Sequence, residues 1–156
     1  MSPETTPLVT VIIACYNHAP YIAQSIQSVL DQTYPNIELL VVDDGSSDDS
    51  AKIIRALQAR YGFDFTEQSN QGLSSTLNGA IARARGNLIA PFGSDDVMLP
   101  ERISLQVAYM QDKPEVGICA GNIQLIDSHG EAIGKPDAKR AQLCRFTFAD
   151  IFLDRV

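Results

Sequence analysis

The sequence predicts an α/β domain in which a mostly parallel sheet is flanked by helices. Short β-branched runs alternate at least four times with segments of helical periodicity, as in parallel strands joined by helical crossovers. The first run, Leu8–Ala14, is almost continuously apolar, which is typical of a strand covered on both faces. With 156 residues, 45% of them apolar, the chain can bury one core without a disulfide or a metal. We therefore expect residues 1–156 to form a single domain.

The next segments predict a helix, a strand and a second helix. Residues 20–33 carry an apolar stripe at helical spacing. Residues 37–42 form the second apolar, β-branched run. Ser47–Asp49 supply side chains suited to capping a helix, and Gly62 is placed to end that helix.

The middle of the chain predicts a weak strand, a helix and a further strand. Residues 63–66 form the weak strand, and residues 72–85 repeat the helical period before Gly86 closes it. Residues 87–92 form the next strand. Because Pro91 has no N–H to donate to a ladder, this strand is expected to end there or to lie at a sheet edge.

The last predicted elements are one helix and two short strands. Residues 100–112 begin with proline, which suits the first turn of a helix, and carry apolar residues at helical spacing. Residues 116–120 and 123–126 are apolar runs typical of strands, and residues 128–131 predict a hairpin turn. The final ten residues begin a helical pattern that the chain does not complete.

The charge balance excludes several kinds of partner. Lys and Arg number 12 against 19 Asp and Glu, so the formal net charge is −7, and no basic cluster stands out. A nucleic-acid groove or a polybasic attachment to anionic lipid is therefore not expected. The same balance is compatible with sites where carboxylates hold a cation.

Cysteine usage and the amino end indicate a cytoplasmic protein. Cys15, Cys119 and Cys144 lack the paired spacing of a zinc site or a redox dithiol, so we expect reduced thiols. The residues before the first strand lack the basic start and apolar length of a signal peptide. No apolar run is long enough for a transmembrane segment, although peripheral attachment to the inner face of the membrane stays open.

Polar side chains collect where three predicted strands end, in the turns Cys15–His18, Asp43–Ser47 and Gly93–Asp96. Since ligands of open α/β sheets bind at the carboxyl ends of strands, two acidic pairs are expected at one sheet edge. Adjacent carboxylates repel unless a cation or hydrogen-bond donors neutralise them. Mg²⁺ or Mn²⁺, completed by the phosphates of a nucleotide diphosphate, would do so.

Each acidic pair also has a structural interpretation, and these alternatives stay open at this point. Asp43–Ser46 has the composition of an Asx turn, and the Asp95–Asp96 pair is placed to cap the following helix. Four other polar residues are expected to be structural, as caps or solvent-facing residues (Asp48, Asp49) or as turn residues (His18, His129).

Four other classes of protein lack their signatures here. A phosphate-loop ATPase needs a Gly-x-x-x-x-Gly-Lys-Ser/Thr segment, and a classical dinucleotide-binding protein needs Gly-x-Gly-x-x-Gly after the first strand; the sequence contains neither. The turn after the first strand also lacks the glycine, Arg and Lys residues with which a nucleotidyltransferase would cradle a triphosphate. A phospho-receiver domain needs an acidic pair there and a lysine after the fifth strand, where this chain has Cys15–Asn17 and Gly121–Asn122.

Four ordered segments of the chain resemble the amino-terminal half of glycosyltransferase family 2. They are Val11–Asn17, Ser28–Pro35, Val41–Asp48 and a series of short matches that runs from Asn70 to Asp96. The resemblance is close from residue 8 to about residue 127 and loose thereafter. It implies a Rossmann-like GT-A domain that binds a nucleotide-diphospho-sugar with a divalent cation and usually inverts the anomeric centre.

The resemblance also implies roles for individual residues. Asp95–Asp96 would stand for the metal motif, with Asp96 the main ligand of Mn²⁺ or Mg²⁺ and Asp95 nearer the ribose or sugar. Asp44, with Asp43 beside it, would hold a uracil-like base or the ribose of a UDP-sugar. The implied nucleotide-sugar contacts are Ala14, Tyr16, Asp43, Asp44, Asn70, Gly72 and Asp95.

The acceptor side of the reaction lies outside the matched region. The metal would stabilise the leaving diphosphate while a hydroxyl of a glycan, lipid-linked or polysaccharide acceptor attacks the sugar. The family's general base belongs to the acceptor-binding half, so we expect it beyond Val156 and expect the chain to stop before that half. The alternative is a donor-binding module that is catalytically incomplete without that base.

Overall fold

The computed structural model describes residues 6–127 and 129–134. The chain divides into two compact units, residues 1–117 and residues 118–156, which are taken in turn below. The expectation of a single domain stays a prediction.

Within residues 6–117, the described part of the first unit, four strands and four helices alternate along the chain. They are β1 (Val9–Cys15), α1 (Ile22–Leu30), β2 (Ile37–Asp43), α2 (Ser50–Tyr61), β3 (Asp64–Glu67), α3 (Leu73–Ile81), β4 (Leu88–Gly93) and α4 (Arg102–Asp112). The strands pair in the order β3-β2-β1-β4, and every pairing is parallel. This confirms the predicted α/β architecture, with a parallel sheet flanked by helices.

Side chains of the two central strands are buried on both faces of the sheet. Val11 and Ile13 of β1 belong to a large apolar cluster that includes residues of α1, α2 and α4. Ile12 points to the other face and packs in a smaller cluster with Leu40 and with Ala80 of α3. The continuous apolar run of β1 therefore has the cause predicted for it, since helices cover both faces.

The helices are shorter than predicted at their ends. After Ile81, the N–H groups of Arg83 and Ala84 bond to carbonyls three residues earlier, so the last turn is tighter than an α-helix. Helix α1 begins at Ile22 because the amides of Tyr21 and Ile22 both bond to the carbonyl of His18 and form a lead-in turn. Apolar periodicity does not detect such turns.

Strand β4 lies at one edge of the four-stranded sheet, as Pro91 predicted. Pro91 faces Ile12 of β1, which is the neighbour of β4 within the described part of the chain. Because an edge strand needs ladder donors on one side alone, a proline is tolerated there.

The second unit is described for residues 118–127 and 129–134. The predicted strands at 116–120 and 123–126 are wrong, because these described residues form no strand. A single antiparallel bridge joins Ile126 to Ala132 around a turn in which Gly130 has φ +83°. Local apolarity suggested strands, but a strand also needs a partner for its backbone groups. The incomplete helix predicted for the last ten residues lies outside the described residues.

No helix within residues 6–127 and 129–134 is both long and apolar enough to cross a bilayer.

Candidate donor-binding site

Three polar turns meet at the carboxyl edge of the sheet. Cys15 of β1 is the register partner of Asp43 of β2, and Ala14 is the partner of Gly93 of β4. The turns that follow these strands are therefore neighbours in space, as predicted. Tyr16, which follows Cys15, is 50% exposed and is available to contact a ligand at this edge.

The turns after β1 and β2 brace each other through a reciprocal set of hydrogen bonds. Asn17, with φ +55°, accepts at Oδ1 from the amide of Ser47 at 2.7 Å. Its own amide donates to Oγ of Ser46 at 2.9 Å. Asp48 accepts from the amides of Ala19 and Ser50 at 3.0 and 2.9 Å. Asp48 is thus a structural residue, as predicted, and it fixes the entrance to α2.

Asp43 has one carboxylate oxygen in use and one without a partner. The residue is 3% exposed, and Oδ1 accepts from the amide of Ser46 at 3.0 Å, which is the Asx turn that the sequence allowed. Among the described residues, Oδ2 is buried and accepts no hydrogen bond. An unsatisfied buried acceptor is costly, so Asp43 has capacity for a ligand donor that the fold itself does not fill.

Asp44 holds the loop that leads into α3. Its carboxylate accepts from the Gln68 side chain at 2.7 Å and from the amides of Gln71 and Gly72, both at 2.9 Å. Burial raises the pKa of Asp44, but these hydrogen bonds outweigh it, so the pKa lies below the usual aspartate value. Asp44 is therefore an ionised anchor. Sequence reasoning missed this structural role because the donors lie 24 or more residues away.

Gly45, which follows Asp44, allows the loop of Asn70 and Gly72 to lie close to the acidic turn. Gly45 has φ +76°, and a Cβ there would lie 2.7 Å from the backbone nitrogen of Asn70. A side chain at this position would push the loop of Asn70 and Gly72 away from the acidic turn. Thus the structure brings Asn70 and Gly72, both predicted contacts, beside Asp44.

Asp95 and Asp96 lie over Gly93 at the end of β4. A Cβ at Gly93 would be 2.5 Å from Oδ2 of Asp96 and 3.1 Å from Oδ1 of Asp95. Both residues are exposed, and neither carboxylate accepts a hydrogen bond from a described residue. The helix-capping alternative is wrong, because α4 begins later, with Glu101 at its N-cap and no capping side chain.

The two carboxylates fit a small divalent cation that takes most of its ligands from elsewhere. Within the described part of the chain, no group of three or more His, Cys, Asp or Glu residues could enclose a metal. Mg²⁺ is typically bound through one or two carboxylates, with water and phosphate completing its coordination. Two adjacent exposed carboxylates beside a side-chain-free glycine are suited to that chemistry.

Helix α1 anchors the acidic turn from beneath. Ser25 donates from Oγ to the carbonyl of Gly93 at 2.9 Å, and Ser28 accepts from the amide of Met98 at 3.0 Å. Nδ1 of His18 and Oγ of Ser94 are hydrogen-bonded at 2.6 Å. Sequence reasoning missed these anchors. The sequence feature that could have indicated them is the pair Ser25 and Ser28, three residues apart on the apolar side of α1.

The structure describes the surroundings of Cys15 but not those of Cys144. Cys15 is fully buried at the end of β1, and burial raises the pKa of its thiol. Cys144 lies outside the described residues, so the expectation of reduced thiols stays a prediction.

A known protein family and individual proteins match the part of the chain that contains these turns. The Glycosyl transferase family 2 model matches residues 10–147. The chain is 34% identical over 137 residues to an uncharacterized glycosyltransferase of Nostoc sp., covering 86% of this chain and 42% of that protein. It is 36% identical over 103 residues to chondroitin synthase of Escherichia coli, covering 65% of this chain and 15% of that protein. The chain thus spans less than half the length of either relative.

Solved glycosyltransferase structures share the fold. S. aureus TarS in complex with UDP superposes with a TM-score of 0.62 at 26% identity, covering 67% of this chain and 32% of that chain. The mannosyltransferase PcManGT of Pyrobaculum calidifontis, in complex with GDP-Man and Mn²⁺, gives 0.61 at 29% identity, covering 69% and 33%. The sheet order, the helices that flank it and these neighbours confirm the predicted GT-A fold.

The match over residues 10–147 covers most of the chain and includes all three polar turns. This protein therefore belongs to glycosyl transferase family 2.

Proposed function

We propose that the chain binds a nucleotide-diphospho-sugar across its three polar turns and acts as a glycosyltransferase that transfers the sugar to an acceptor hydroxyl. One observation carries the proposal. Among the described residues, no donor reaches a buried carboxylate oxygen of Asp43 or the two exposed carboxylates of Asp95 and Asp96 at this edge of the sheet. These are the groups that an N–H or hydroxyl donor and a metal-bound diphosphate would satisfy.

The nucleoside is proposed to lie against the turns of β1 and β2. Oδ2 of Asp43 can accept from a base N–H or a ribose hydroxyl, and the exposed ring of Tyr16 offers a stacking face. Asp44 already accepts three hydrogen bonds, which leaves about one of the roughly four acceptor positions of a carboxylate. Ala14, Asn70 and Gly72 complete the proposed contacts.

The diphosphate is proposed to lie over Gly93, where Asp96 and Asp95 would hold Mn²⁺ or Mg²⁺. When bound, the cation supplies positive charge that offsets the charge developing on the leaving diphosphate. The absence of a side chain at Gly93 leaves the carboxylates room to converge. Asp95, the first of the pair along the chain, is also proposed to contact the ribose or sugar.

A UDP-sugar is the proposed donor. TarS has been solved with UDP and with UDP-GlcNAc, at 26% identity to this chain. PcManGT, at 29% identity, has been solved with GDP-Man, which makes a GDP-sugar the competing donor. Titration with UDP and GDP in parallel distinguishes the two.

The acceptor side is proposed from the family alone. We propose an inverting transfer to a glycan, lipid-linked or polysaccharide hydroxyl, in the cytoplasm or at the inner face of the membrane. The alternative is a donor-binding module without turnover of its own.

Calorimetric titration with UDP, with and without Mn²⁺, tests the donor site. We expect Mn²⁺ to tighten UDP binding, and Asp96→Ala to remove that gain, because one of two metal ligands is lost. Asp112→Asn is the matched control, since this exposed carboxylate pairs with Lys113 at the far end of α4. Equal UDP binding by wild type and Asp96→Ala in Mn²⁺ would refute the proposed metal site.

A turnover assay separates the two functional alternatives. Transfer, or hydrolysis of UDP-sugar, by the 156-residue chain supports a complete enzyme. Mn²⁺-dependent UDP binding without either reaction supports the donor-binding module.

A further inference from the structure

The imidazole of His18 bridges the two sides of the proposed donor site. His18 lies in the turn after β1, where its amide donates to Oγ of Ser50 at 3.0 Å. Its ring meets the ring of Tyr21 edge-on, with centroids 6.3 Å apart. Nδ1 and Oγ of Ser94 are 2.6 Å apart, across 76 residues of sequence. The ring is thus held on one side and contacts the acidic turn on the other.

Ser94 links His18 to the two carboxylates of the proposed metal site, because Asp95 and Asp96 follow it directly in the chain. It is 4% exposed and directly precedes Asp95, whereas Asp95 and Asp96 are exposed. The turn is tied to α1 at Gly93 and again at Met98. Between those two contacts with α1, the turn makes one side-chain hydrogen bond among the described residues, the one between Ser94 and His18.

We propose that His18 is a positioning residue that holds the Ser94–Asp96 turn in the arrangement required for divalent-cation binding. The inference rests on the proposed function, since it assigns His18 a role toward the cation that Asp95 and Asp96 would hold. Nδ1 of His18 is engaged with Ser94, so the role proposed for His18 is to hold the turn and not to bind the cation. Without the bridge, the turn samples conformations in which the two carboxylates diverge, and the cation binds more weakly.

The test measures the Mn²⁺-dependent gain in UDP affinity by calorimetry and the binding of Mn²⁺ alone by electron paramagnetic resonance. We expect His18→Phe and Ser94→Ala each to reduce Mn²⁺ affinity about three- to tenfold, the effect of one buried hydrogen bond. The double variant should lose no more than either single variant, because both remove the same bond. His18→Gln, which keeps a hydrogen-bonding group, should recover part of the loss. Tyr21→Leu removes the ring contact alone and serves as the matched control.

The outcomes separate this inference from the function on which it rests. His18→Phe should weaken UDP binding more in the presence of Mn²⁺ than in its absence, whereas a merely structural role would weaken binding with and without Mn²⁺ alike. If Asp96→Ala loses the Mn²⁺-dependent gain while His18→Phe and Ser94→Ala keep it, the positioning role is overturned and the proposed function stands. If wild type shows no gain with Mn²⁺, the proposed function and this inference both fail.

Discussion

Glu38, at the amino end of the parallel sheet, and Asp43, at its carboxyl end, differ in how far the fold satisfies their carboxylates. At the amino end, both oxygens of Glu38 are used, with Oε2 accepting from Thr10 and from the amide of Arg85, and Oε1 accepting from the Arg85 side chain. The hydroxyl of Thr10 in turn accepts from the amide of Gly86 at 2.9 Å. At the carboxyl end, Oδ2 of Asp43 and the carboxylates of Asp95 and Asp96 accept no hydrogen bond from a described residue.

We propose that this difference distinguishes a structural carboxylate from one that binds a ligand. Thr10 and Glu38 are register partners on β1 and β2, so their bond also fixes how these strands align. A buried charge that is fully hydrogen-bonded stabilises the fold, whereas an unsatisfied one is retained at a cost in stability. Such costs are common at functional sites, where the ligand supplies the missing partner.

The largest expected effect is at the amino end. Glu38→Ala should lower the free energy of unfolding by about 3 kcal/mol, because hydrogen bonds to a charged acceptor are lost and the Thr10 hydroxyl loses its acceptor. Glu67→Ala is the control. Glu67 pairs with Arg55 at the surface, where ion pairs contribute less than about 1 kcal/mol. Urea unfolding of both variants measures the difference, and equal losses would contradict the comparison.

Acid should remove part of the same stabilisation. Burial raises the pKa of Glu38, but hydrogen bonds from Thr10 and Arg85 outweigh it and hold the pKa below the usual glutamate value. The contribution is therefore fully present above the unfolded pKa of about 4.3 and is lost as pH falls through the lowered folded pKa. We expect a smaller loss than in Glu38→Ala, since the protonated group keeps some hydrogen bonds. Unfolding from pH 7 to pH 3 should show a flatter dependence for Glu38→Gln than for wild type.

A methyl group at Gly93 tests the carboxylates at the carboxyl end of the sheet. In Gly93→Ala, the Cβ would lie 2.5 Å from Oδ2 of Asp96, so that carboxylate must move. We expect Mn²⁺ affinity to fall about tenfold, as for other changes beside metal ligands. Gly79→Ala is the control, because its Cβ would meet nothing within 4 Å. Titration of both variants with Mn²⁺ shows whether the effect is confined to the turn.

The smallest change in stability is expected at Asp43. In Asp43→Asn, the amide oxygen can still accept from Ser46, so the free energy of unfolding should change by less than about 1 kcal/mol. UDP binding should nevertheless weaken several-fold, because the charged acceptor is gone. Unfolding and UDP titration of the same sample check the two halves of this prediction. A large loss of stability without loss of UDP binding would place Asp43 with Glu38 among the structural carboxylates.

Much of the site could be predicted because its signals are local. The acidic turns of Asp43 and Asp95 follow apolar runs that end abruptly, and the ends of parallel strands meet at one edge. Resemblance to the family added residue roles that spacing alone does not supply. The strands predicted near Val116 and Ile123 failed because apolar residues indicate burial without indicating a pairing partner.

The sequence by itself determined the α/β architecture and the turns that carry the acidic residues, and it predicted that β4 would end at Pro91 or lie at a sheet edge. These follow from periodicity, from the missing N–H of Pro91 and from composition within a few residues. Tertiary structure alone decided which carboxylates are satisfied. Asp44 is held by amides 27 and 28 residues further along the chain, whereas Oδ2 of its neighbour Asp43 accepts no hydrogen bond from any described residue. The physical reason is that hydrogen-bond donors are supplied by whichever backbone the fold brings near, and this depends on the packing of distant segments.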